Sequence, residues 1–191
     1  KYAEKMIPST SVPHSVSSGS NELADAWAYI GQYDKAMKIA SELQTNAMQY
    51  LNWYSYATQA GKRDYNYSLC YRDGIRPLTT TFSICVDASN KKLNEGKKEE
   101  AKALFNGIMK NADICGKWLS GALGSGHLDS QYTNILMSEY MRVTQVMESV
   151  EEIMQNAGLA VDDAYKGISQ QHMNALNMHY VQMQERQKAV D

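Results

Sequence analysis

The apolar residues in the first third of this chain recur at helical spacing. They repeat every three or four positions over 21–31, 34–44 and 46–60. This period is typical of an amphipathic helix that buries one stripe of its surface. Gly31 and Gly61 follow two of these stretches, and glycine readily adopts the left-handed conformation that ends a helix. The pattern therefore predicts three helices joined by short turns.

The same spacing predicts which residues of the first two helices face inward. In 21–31 they are Leu23, Trp27 and Ile30, which are separated by steps of four and three. The stripe of 34–44 is richer in small residues and consists of Ala36, Ile39, Ala40 and Leu43. Small side chains allow a neighbouring helix to approach closely, so the two helices are expected to pack as a pair.

The arrangement around Gly31 recurs around Gly96. In both places an alanine follows the glycine after five residues, and another apolar position follows four residues later. The two sets are Gly31, Ala36, Ala40 and Gly96, Ala101, Phe105. Such recurrence indicates a helical-repeat unit, which buries its apolar face on neighbouring units rather than alone.

The pattern is less regular on either side of these helices. Pro8 and Pro13 lie among serines and predict a loop before the first helix. A further helical segment at 66–94 is expected to break at Pro77, which removes a backbone donor. The threonines at 79–81 favour extended structure locally, because β-branched side chains are restricted in helices.

Four glycines lie close together between residues 116 and 126. We interpret the glycine-rich residues 116–128 as a flexible loop, and we place the glycine-rich loop that separates the two domains at 119–129. It is not a phosphate-binding loop, because no Lys-Ser/Thr pair follows the glycines and no predicted strand precedes them.

Two long helices are predicted after this loop, at about 130–157 and 160–188. The first carries a heptad-like seam made of Leu136, Tyr140, Val143, Met147, Val150, Met154 and Ala157. The second carries Val161, Tyr165, Ile168, His172, Ala175 and His179 along one track. A heptad-like seam requires a partner helix. We therefore expect an antiparallel hairpin that turns near Gly158, and homo-oligomerisation through 130–188 is an alternative use of the same seam.

Composition narrows the classes of function. The net charge of −2 gives no electrostatic reason to expect nucleic acid as a partner. No run of about 18 apolar residues is present, so no membrane span is predicted. The three cysteines, Cys70, Cys85 and Cys115, are widely spaced and have no zinc-type spacing, so we expect small buried side chains.

The most prominent candidate surface is a cluster of tyrosines with interleaved arginines. Its members are Trp53, Tyr54, Tyr56, Arg63, Tyr65, Tyr67, Arg72 and Arg76. Tyrosine, tryptophan and arginine are enriched at binding hot spots, because they combine a large contact area with a polar end. We predict that this cluster binds a protein or peptide. Two alternatives stay open, namely a glycan surface and rings that simply pack between helices.

No constellation of residues predicts catalysis, a cofactor or a metal. His172 and His179 share a helix face but lie two turns apart, about 10.5 Å, which is too far for one ion. We expect a histidine of the seam to meet a carboxylate or water instead. Ser125, His127 and Asp129 are neighbours in sequence without a nucleophile elbow, so they do not predict a hydrolase.

Part of the chain resembles the tetratricopeptide repeat, a superhelical protein-binding module. The matching positions are Leu23, Ala24, Trp27, Gly31, Ala36, Ala40 and Leu43. The resemblance implies helix pairs stacked in a right-handed array, and a looser second copy spans Gly96 to Ile108.

A broader resemblance covers about residues 1–115. Its landmarks are Met6-Ile7-Pro8, Val12-Pro13, Leu23-Ala24, Ile39-Ala40, Asn46 and Tyr50-Leu51-Asn52-Trp53-Tyr54. They are similar to the soluble C-terminal tail of a largely uncharacterised family of large bacterial membrane proteins, whose membrane half is similar to protein O-mannosyltransferases. The resemblance implies a domain tethered to the inner membrane on its periplasmic side, with catalytic residues elsewhere.

Together these observations predict an all-α protein. Residues 1–118 form tetratricopeptide-like helix pairs, 119–129 the glycine-rich loop and 130–191 a long hairpin that packs on or extends the first part. The predicted function is a non-catalytic interaction module of a glycosyltransferase-like membrane protein. A carbohydrate-handling or enzymatic domain is the alternative, and outside the membrane-tail context the chain is expected to be a cytoplasmic soluble protein.

Overall fold

The computed structural model describes residues 18–189, and no strand occurs among them. In chain order the elements are α1 (Ser18–Tyr29), α2 (Tyr33–Gln59), α3 (Tyr67–Cys70), a π-helical turn (Tyr71–Ile75), α4 (Arg76–Thr79), α5 (Phe82–Asn94), α6 (Lys98–Gly124), α7 (Ser130–Asn156), a 3₁₀ turn (Asp163–Tyr165) and α8 (Ile168–Lys188). The all-α prediction is therefore confirmed for the described residues. The predicted loop around Pro8 and Pro13 lies outside them.

The chain divides into two compact units, Lys1–Ile84 and Cys85–Asp191. The division falls within α5, whereas the boundary predicted at residue 118 lies inside the continuous helix α6. Within 18–189, none of the helices combines the length and apolar character that crossing a membrane requires.

The core of the first unit is built around small residues. Ala24 of α1 packs with Ala36 and Ala40 of α2, and all three side chains are fully buried. The expected inward positions Leu23 and Ile30 are instead 51% and 62% exposed. The prediction was wrong there because α2 lies against the alanine side of α1, which permits a closer approach than a leucine side would.

Glycine ends α1 as predicted. Gly31 has φ +78°. Its amide donates to the carbonyl of Ala28, and the amide of Gln32 donates to the carbonyl of Trp27, both at 2.9 Å. This pair of hydrogen bonds is the Schellman motif, which satisfies carbonyls that the last helical turn leaves unpaired. The predicted helix end at Gly61 has the same left-handed conformation, with φ +65°.

Helix α2 is a single helix of 27 residues, so the predicted break near residue 45 is wrong. Neither glycine nor proline interrupts it, and the hydroxyl of Thr45 donates to the carbonyl of Ser41 at 2.8 Å within the helix. Its buried stripe consists of Ala36, Ala40, Leu43, Ala47, Tyr50, Tyr54 and Ala57. Large aromatic rings therefore lie toward the C-terminal end of the stripe that begins with alanines.

The region around Pro77 is broken, but by helical irregularities rather than by extended backbone. Pro77 lies in the first turn of α4, a position that tolerates proline. A π-helical turn precedes α4, and residues 80–81 form a turn after it. The extended structure expected at 79–81 is absent from this segment. The hydroxyl of Thr81 donates to the carbonyl of Leu78 at 2.7 Å, which favours the turn.

The second unit contains α6, α7 and α8, which pack against one another. The predicted seam of α7 is confirmed over six of its seven members, since Leu136, Tyr140, Val143, Met147, Val150 and Met154 are fully buried. The seventh, Ala157, lies at the end of the helix and is partly exposed. Hydrogen bonds between α7 and α8 join residue 151 to 169 and 140 to 172, so these two helices run antiparallel as expected. The seam also lies against α6, which completes a three-helix arrangement.

The connection between α7 and α8 is longer than predicted. Gly158 ends α7 with φ +68°, in agreement with the sequence. Helix α8 begins only at Ile168, after Gly167 with φ +74°, rather than near residue 160. The predicted track residues Val161 and Tyr165 therefore lie in the connection.

The glycine-rich loop is the clearest error of the sequence prediction. Helix α6 continues to Gly124, so Gly116 and Gly121 are helical and the turn between helices spans only 125–129. A Cβ atom on Gly116 would lie 2.6 Å from Cε1 of His172. Gly116 is therefore present because α8 places a ring against the backbone of α6.

Candidate binding surface

The predicted tyrosine–arginine cluster lies in the first unit, around the turn between α2 and α3. Three of its residues, Trp53, Tyr54 and Tyr56, belong to the last two turns of α2. Arg63 and Tyr65 lie in the turn itself. The remaining members are Tyr67 in α3, Arg72 in the π-helical turn and Arg76 in α4.

Tyr54 is the buried centre of this cluster, with only 1% of its surface exposed. Its hydroxyl donates to the carbonyl of Asp64 at 3.2 Å and accepts from the amide of Asn66. Burial raises the pKa of Tyr54, so the hydroxyl keeps its proton. Tyr54 cannot be a direct contact residue in this conformation, and it holds the 61–66 turn onto α2 instead.

The exposed part of the cluster is organised by one arginine and a row of rings. The guanidinium of Arg63 lies 5.2 Å from the ring centroid of Trp53 and 5.9 Å from that of Tyr54. Tyr65 packs edge-on against Tyr54 at 5.4 Å and against Tyr67 at 4.6 Å. Since 42% of Tyr65 is exposed, the structure presents a fixed aromatic edge beside a cation. We call Trp53, Arg63, Tyr65 and Tyr67 the aromatic–arginine surface.

The other predicted members have separate environments. Tyr56 is 40% exposed and has the ammonium of Lys62 5.3 Å from its ring centroid. Arg72 forms two hydrogen bonds of 2.8 Å with the carboxylate of Asp73. Arg76 is exposed at the start of α4. The interactions described above therefore join only part of the predicted cluster into one surface.

Tyr50 supports this surface from below, a role the sequence did not assign. It is 3% exposed and lies 6.0 Å from Trp53 and 5.7 Å from Tyr54 between ring centroids. Burial raises the pKa of Tyr50, and the nearby carboxylate of Asp73 adds to the increase. Its position four residues before Tyr54 on the buried stripe is the sequence signal for this role.

The second unit contains a buried polar chain that sequence reasoning found only in part. The Nε2 atom of His172 lies 2.9 Å from Oδ1 of Asp113, and Nδ1 lies 2.6 Å from the hydroxyl of Tyr140. The prediction that a seam histidine meets a carboxylate is confirmed. The ammonium of Lys117 donates to Oδ2 of Asp113 at 2.7 Å.

The charges of this chain are set by burial and by the hydrogen bonds. Burial opposes ionisation of Asp113, but the hydrogen bonds from Lys117 and His172 outweigh it and lower the pKa of the carboxyl group. Burial raises the pKa of Tyr140 to about 12, although a hydrogen bond with Ser120 acts in the opposite direction. At neutral pH this buried polar chain therefore contains the ionised carboxylate of Asp113 and the neutral phenol of Tyr140.

The chain extends to a second histidine. The hydroxyl of Ser120 lies 3.0 Å from Nε2 of His179. Burial lowers the pKa of His179, and the nearby charge of Arg186 lowers it further. The sequence missed Asp113, Ser120 and their link to α8, although a carboxylate beside the apolar stripe of α6 was a visible signal.

The remaining candidates have structural roles. The carboxylate of Asp129 caps α7 by accepting from the amide of Tyr132 at 2.6 Å, and the hydroxyl of Ser125 accepts from the amide of His127 at 3.2 Å. Cys70, Cys85 and Cys115 are buried, as predicted. Among the residues that the structure describes, no three potential metal ligands are grouped.

Comparison of the chain with protein-family models, with curated proteins and with solved structures finds no match in any of the three.

Proposed function

We propose that this chain is a non-catalytic helical module that binds a protein or peptide through the aromatic–arginine surface. The observation that carries the proposal is the placement of Arg63 and the half-exposed Tyr65 on a rigid base. The base consists of the buried rings of Tyr50 and Tyr54, which are 3% and 1% exposed. Side chains that are ordered before binding lose little conformational entropy in a complex, which favours affinity.

A protein partner is favoured over a glycan. Sugar binding by stacking needs an open ring face, but the guanidinium of Arg63 lies 5.2 Å from the ring centroid of Trp53. The ring of Tyr65 packs edge-on between two other tyrosines. The guanidinium of Arg63 offers hydrogen bonds to peptide carbonyls and carboxylates instead, beside the partly exposed ring of Tyr65.

We also propose that α1–α2 and α5–α6 are two copies of one tetratricopeptide-like unit. Gln32 has φ −86° and ψ +61°, and Lys97 has φ −85° and ψ +63° at the equivalent position. The preceding residues Gly31 and Gly96 have φ +78° and +76°. The helix after each turn has 27 residues. These similarities support a shared unit whose stacking would form a right-handed array.

The resemblance of residues 1–115 supports a further proposal about context. On this view the module is the periplasmic tail of a bacterial membrane protein and recruits a partner for a glycosylation enzyme. The coding sequence immediately upstream tests it, since the proposal requires a segment that spans the membrane several times.

The binding proposal is tested by selecting random peptides displayed on phage against the full chain. Selected peptides are then synthesised, and their affinities are measured by calorimetry for wild type and for the double variant Arg63→Ala, Tyr65→Ala. We expect the double variant to lose at least about tenfold in affinity, as for hot-spot residues. The matched control is Tyr29→Ala, Lys38→Ala, since Tyr29 is 92% exposed and lies away from the cluster.

The proposal requires the double variant to bind the peptides more weakly than the control variant does. Both variants must remain helical by circular dichroism. If the selected peptides bind both variants as tightly as wild type, the aromatic–arginine surface is not the binding site. Binding of oligosaccharides that the same double variant abolishes would favour the glycan alternative instead. Self-association through the α7 seam is less supported, because its residues are already buried within the chain. Light scattering on the full chain measures it directly.

A further inference from the structure

A cleft opens in the second unit, between the end of α6, the start of α7 and the last turns of α8. Its volume is about 540 Å³, which lies within the roughly 300–1,000 Å³ typical of small-molecule sites. The lining residues are Leu123, Leu128, Ser130, Thr133, Asn134, Met137, His179, Gln182, Met183, Arg186 and Gln187. None of the binding residues discussed for the first unit contributes to it.

The floor of this cleft is apolar. Leu123 and Met137 are 8% and 3% exposed, and Leu128 and Met183 extend the apolar lining. Methionine adapts its shape to irregular ligands, because its side chain is unbranched and flexible. The cleft therefore favours a ligand with a flexible apolar body.

The polar part of the lining carries one charge. Arg186 is the cation, and no acidic side chain belongs to the lining that the structure describes. Within 18–189, Arg186 belongs to none of the ion pairs between side chains. Apart from the imidazole of His179, the remaining polar groups of the lining are hydroxyls and amides, which can complete the hydrogen bonds of an anion.

His179 also belongs to the lining, but it does not add a second positive charge. Its Nε2 atom lies 3.0 Å from the hydroxyl of Ser120, so the buried polar chain holds the ring at the cleft. Burial and Arg186 both lower the pKa of His179, so the imidazole is neutral at neutral pH. Arg186 is thus the only side chain of the described lining that offers a positive charge.

We propose that this cleft binds a small monocarboxylate with an unbranched apolar body. The carboxylate lies at Arg186, where a guanidinium supplies two parallel hydrogen bonds. The apolar body lies on Leu123 and Met137. Among the described lining residues, this occupant matches the one cation at the side of the cleft and the apolar floor beside it.

The test is titration calorimetry of the full chain with decanoate, below the concentration at which decanoate self-associates. Saturable binding at a stoichiometry of one is expected. Decanol and decyltrimethylammonium, which keep the apolar body but remove or reverse the charge, are expected to bind at least about tenfold more weakly, because a charge-assisted hydrogen bond is lost. Equal binding of decanol would overturn the assignment of the carboxylate to Arg186.

Two variants locate the site. Arg186→Gln should weaken decanoate binding about tenfold or more, whereas Lys188→Gln removes the same charge from the same helix outside the lining and should leave it unchanged. Asn134→Asp places a nearly isosteric negative charge on the opposite wall, in an exposed position of α7, and should also weaken binding. The proposal is wrong if decanoate shows no saturable binding, or if Arg186→Gln and Lys188→Gln behave alike. Neither result bears on peptide binding by the first unit.

Discussion

The packing of His172 against the backbone of α6 gives a sharp test of the second unit. The substitution Gly116→Ala adds one methyl group, whose carbon would lie 2.6 Å from Cε1 and 2.7 Å from Nδ1 of the ring. The ring has to move by about 1 Å to reach the roughly 3.5 Å of an ordinary carbon contact. It is 7% exposed and held by hydrogen bonds at both nitrogens, so little free movement is available.

The expected cost follows from those two hydrogen bonds. The bond to the carboxylate of Asp113 is worth about 1.5–3 kcal/mol, and the bond to Tyr140 about 1 kcal/mol. Replacing glycine by alanine within a helix stabilises the folded state by about 0.5–1 kcal/mol, which offsets part of this loss. We therefore expect Gly116→Ala to lower the free energy of unfolding by about 2–3 kcal/mol.

The same helix supplies the control. Gly107 is exposed, and a Cβ atom there would meet nothing within 4 Å. Gly107→Ala should therefore raise the free energy of unfolding by about 0.5–1 kcal/mol. Urea unfolding followed by far-UV circular dichroism measures both variants. Hydrogen exchange of peptides from α6 and α8 then reports on the second unit alone, because a chain of two units need not unfold in one step.

A double-mutant cycle separates the steric reasoning from other effects. In a His172→Ala background the ring is gone, so adding Gly116→Ala should no longer destabilise the protein. If the cost persists without the ring, or if Gly116→Ala is as stable as Gly107→Ala, the proposed clash is wrong.

Three further predictions use the same contacts. The folded-state pKa of Asp113 is lowered from its ordinary value of 3.8, so the contribution of this carboxylate to stability is complete at neutral pH and declines as the pH falls below about 4. The difference in urea stability between wild type and Asp113→Asn should therefore shrink in that range. A constant difference would contradict the assignment. Tyr54→Phe should cost about 1–2 kcal/mol and increase hydrogen exchange in the 61–66 turn, since both hydrogen bonds of the hydroxyl are lost; unchanged exchange there would show that the turn does not depend on this hydroxyl. The three cysteines are buried, and burial raises the pKa of the Cys115 thiol. Ellman's reagent should therefore react slowly with the native chain and rapidly with the chain unfolded in urea. Fast reaction of the native chain would mean that the thiols are accessible.

The sequence predicted the features that depend on neighbouring residues. The ends of α1, α2 and α7 were located because glycine in the left-handed conformation satisfies carbonyls only a few residues away. The seam of α7 was also predicted, since a period of three and four residues reflects a single buried face.

The errors concern residues whose role depends on distant contacts. Gly116 was predicted to lie in a flexible loop. It is a glycine because the ring of His172, 56 positions further along the chain, leaves no room for a Cβ atom. Leu23 was predicted to face inward because it is more hydrophobic than Ala24. The close approach of α1 and α2 instead places the smaller Ala24 in the interface. Neither fact can be recovered from a pattern along one segment.

The candidate surface was predicted in outline only. Composition located the tyrosines and arginines, but it did not distinguish the buried Tyr54 from the exposed Tyr65. The cleft at Arg186 was not predicted, because it forms where the end of α8 lies against the adjoining ends of α6 and α7, which are far away in sequence.

The buried polar chain around His172 also fixes the position of one hydrogen. An ionised carboxylate only accepts, so Nε2 of His172 carries the hydrogen that lies between the ring and Asp113. Ser120 has a single hydroxyl hydrogen but two neighbours, the phenol of Tyr140 and the imidazole of His179. The one carboxylate thereby requires a hydrogen on Nε2 of one ring, while the rotation of a single hydroxyl selects which nitrogen of the other ring carries the hydrogen at the edge of the cleft.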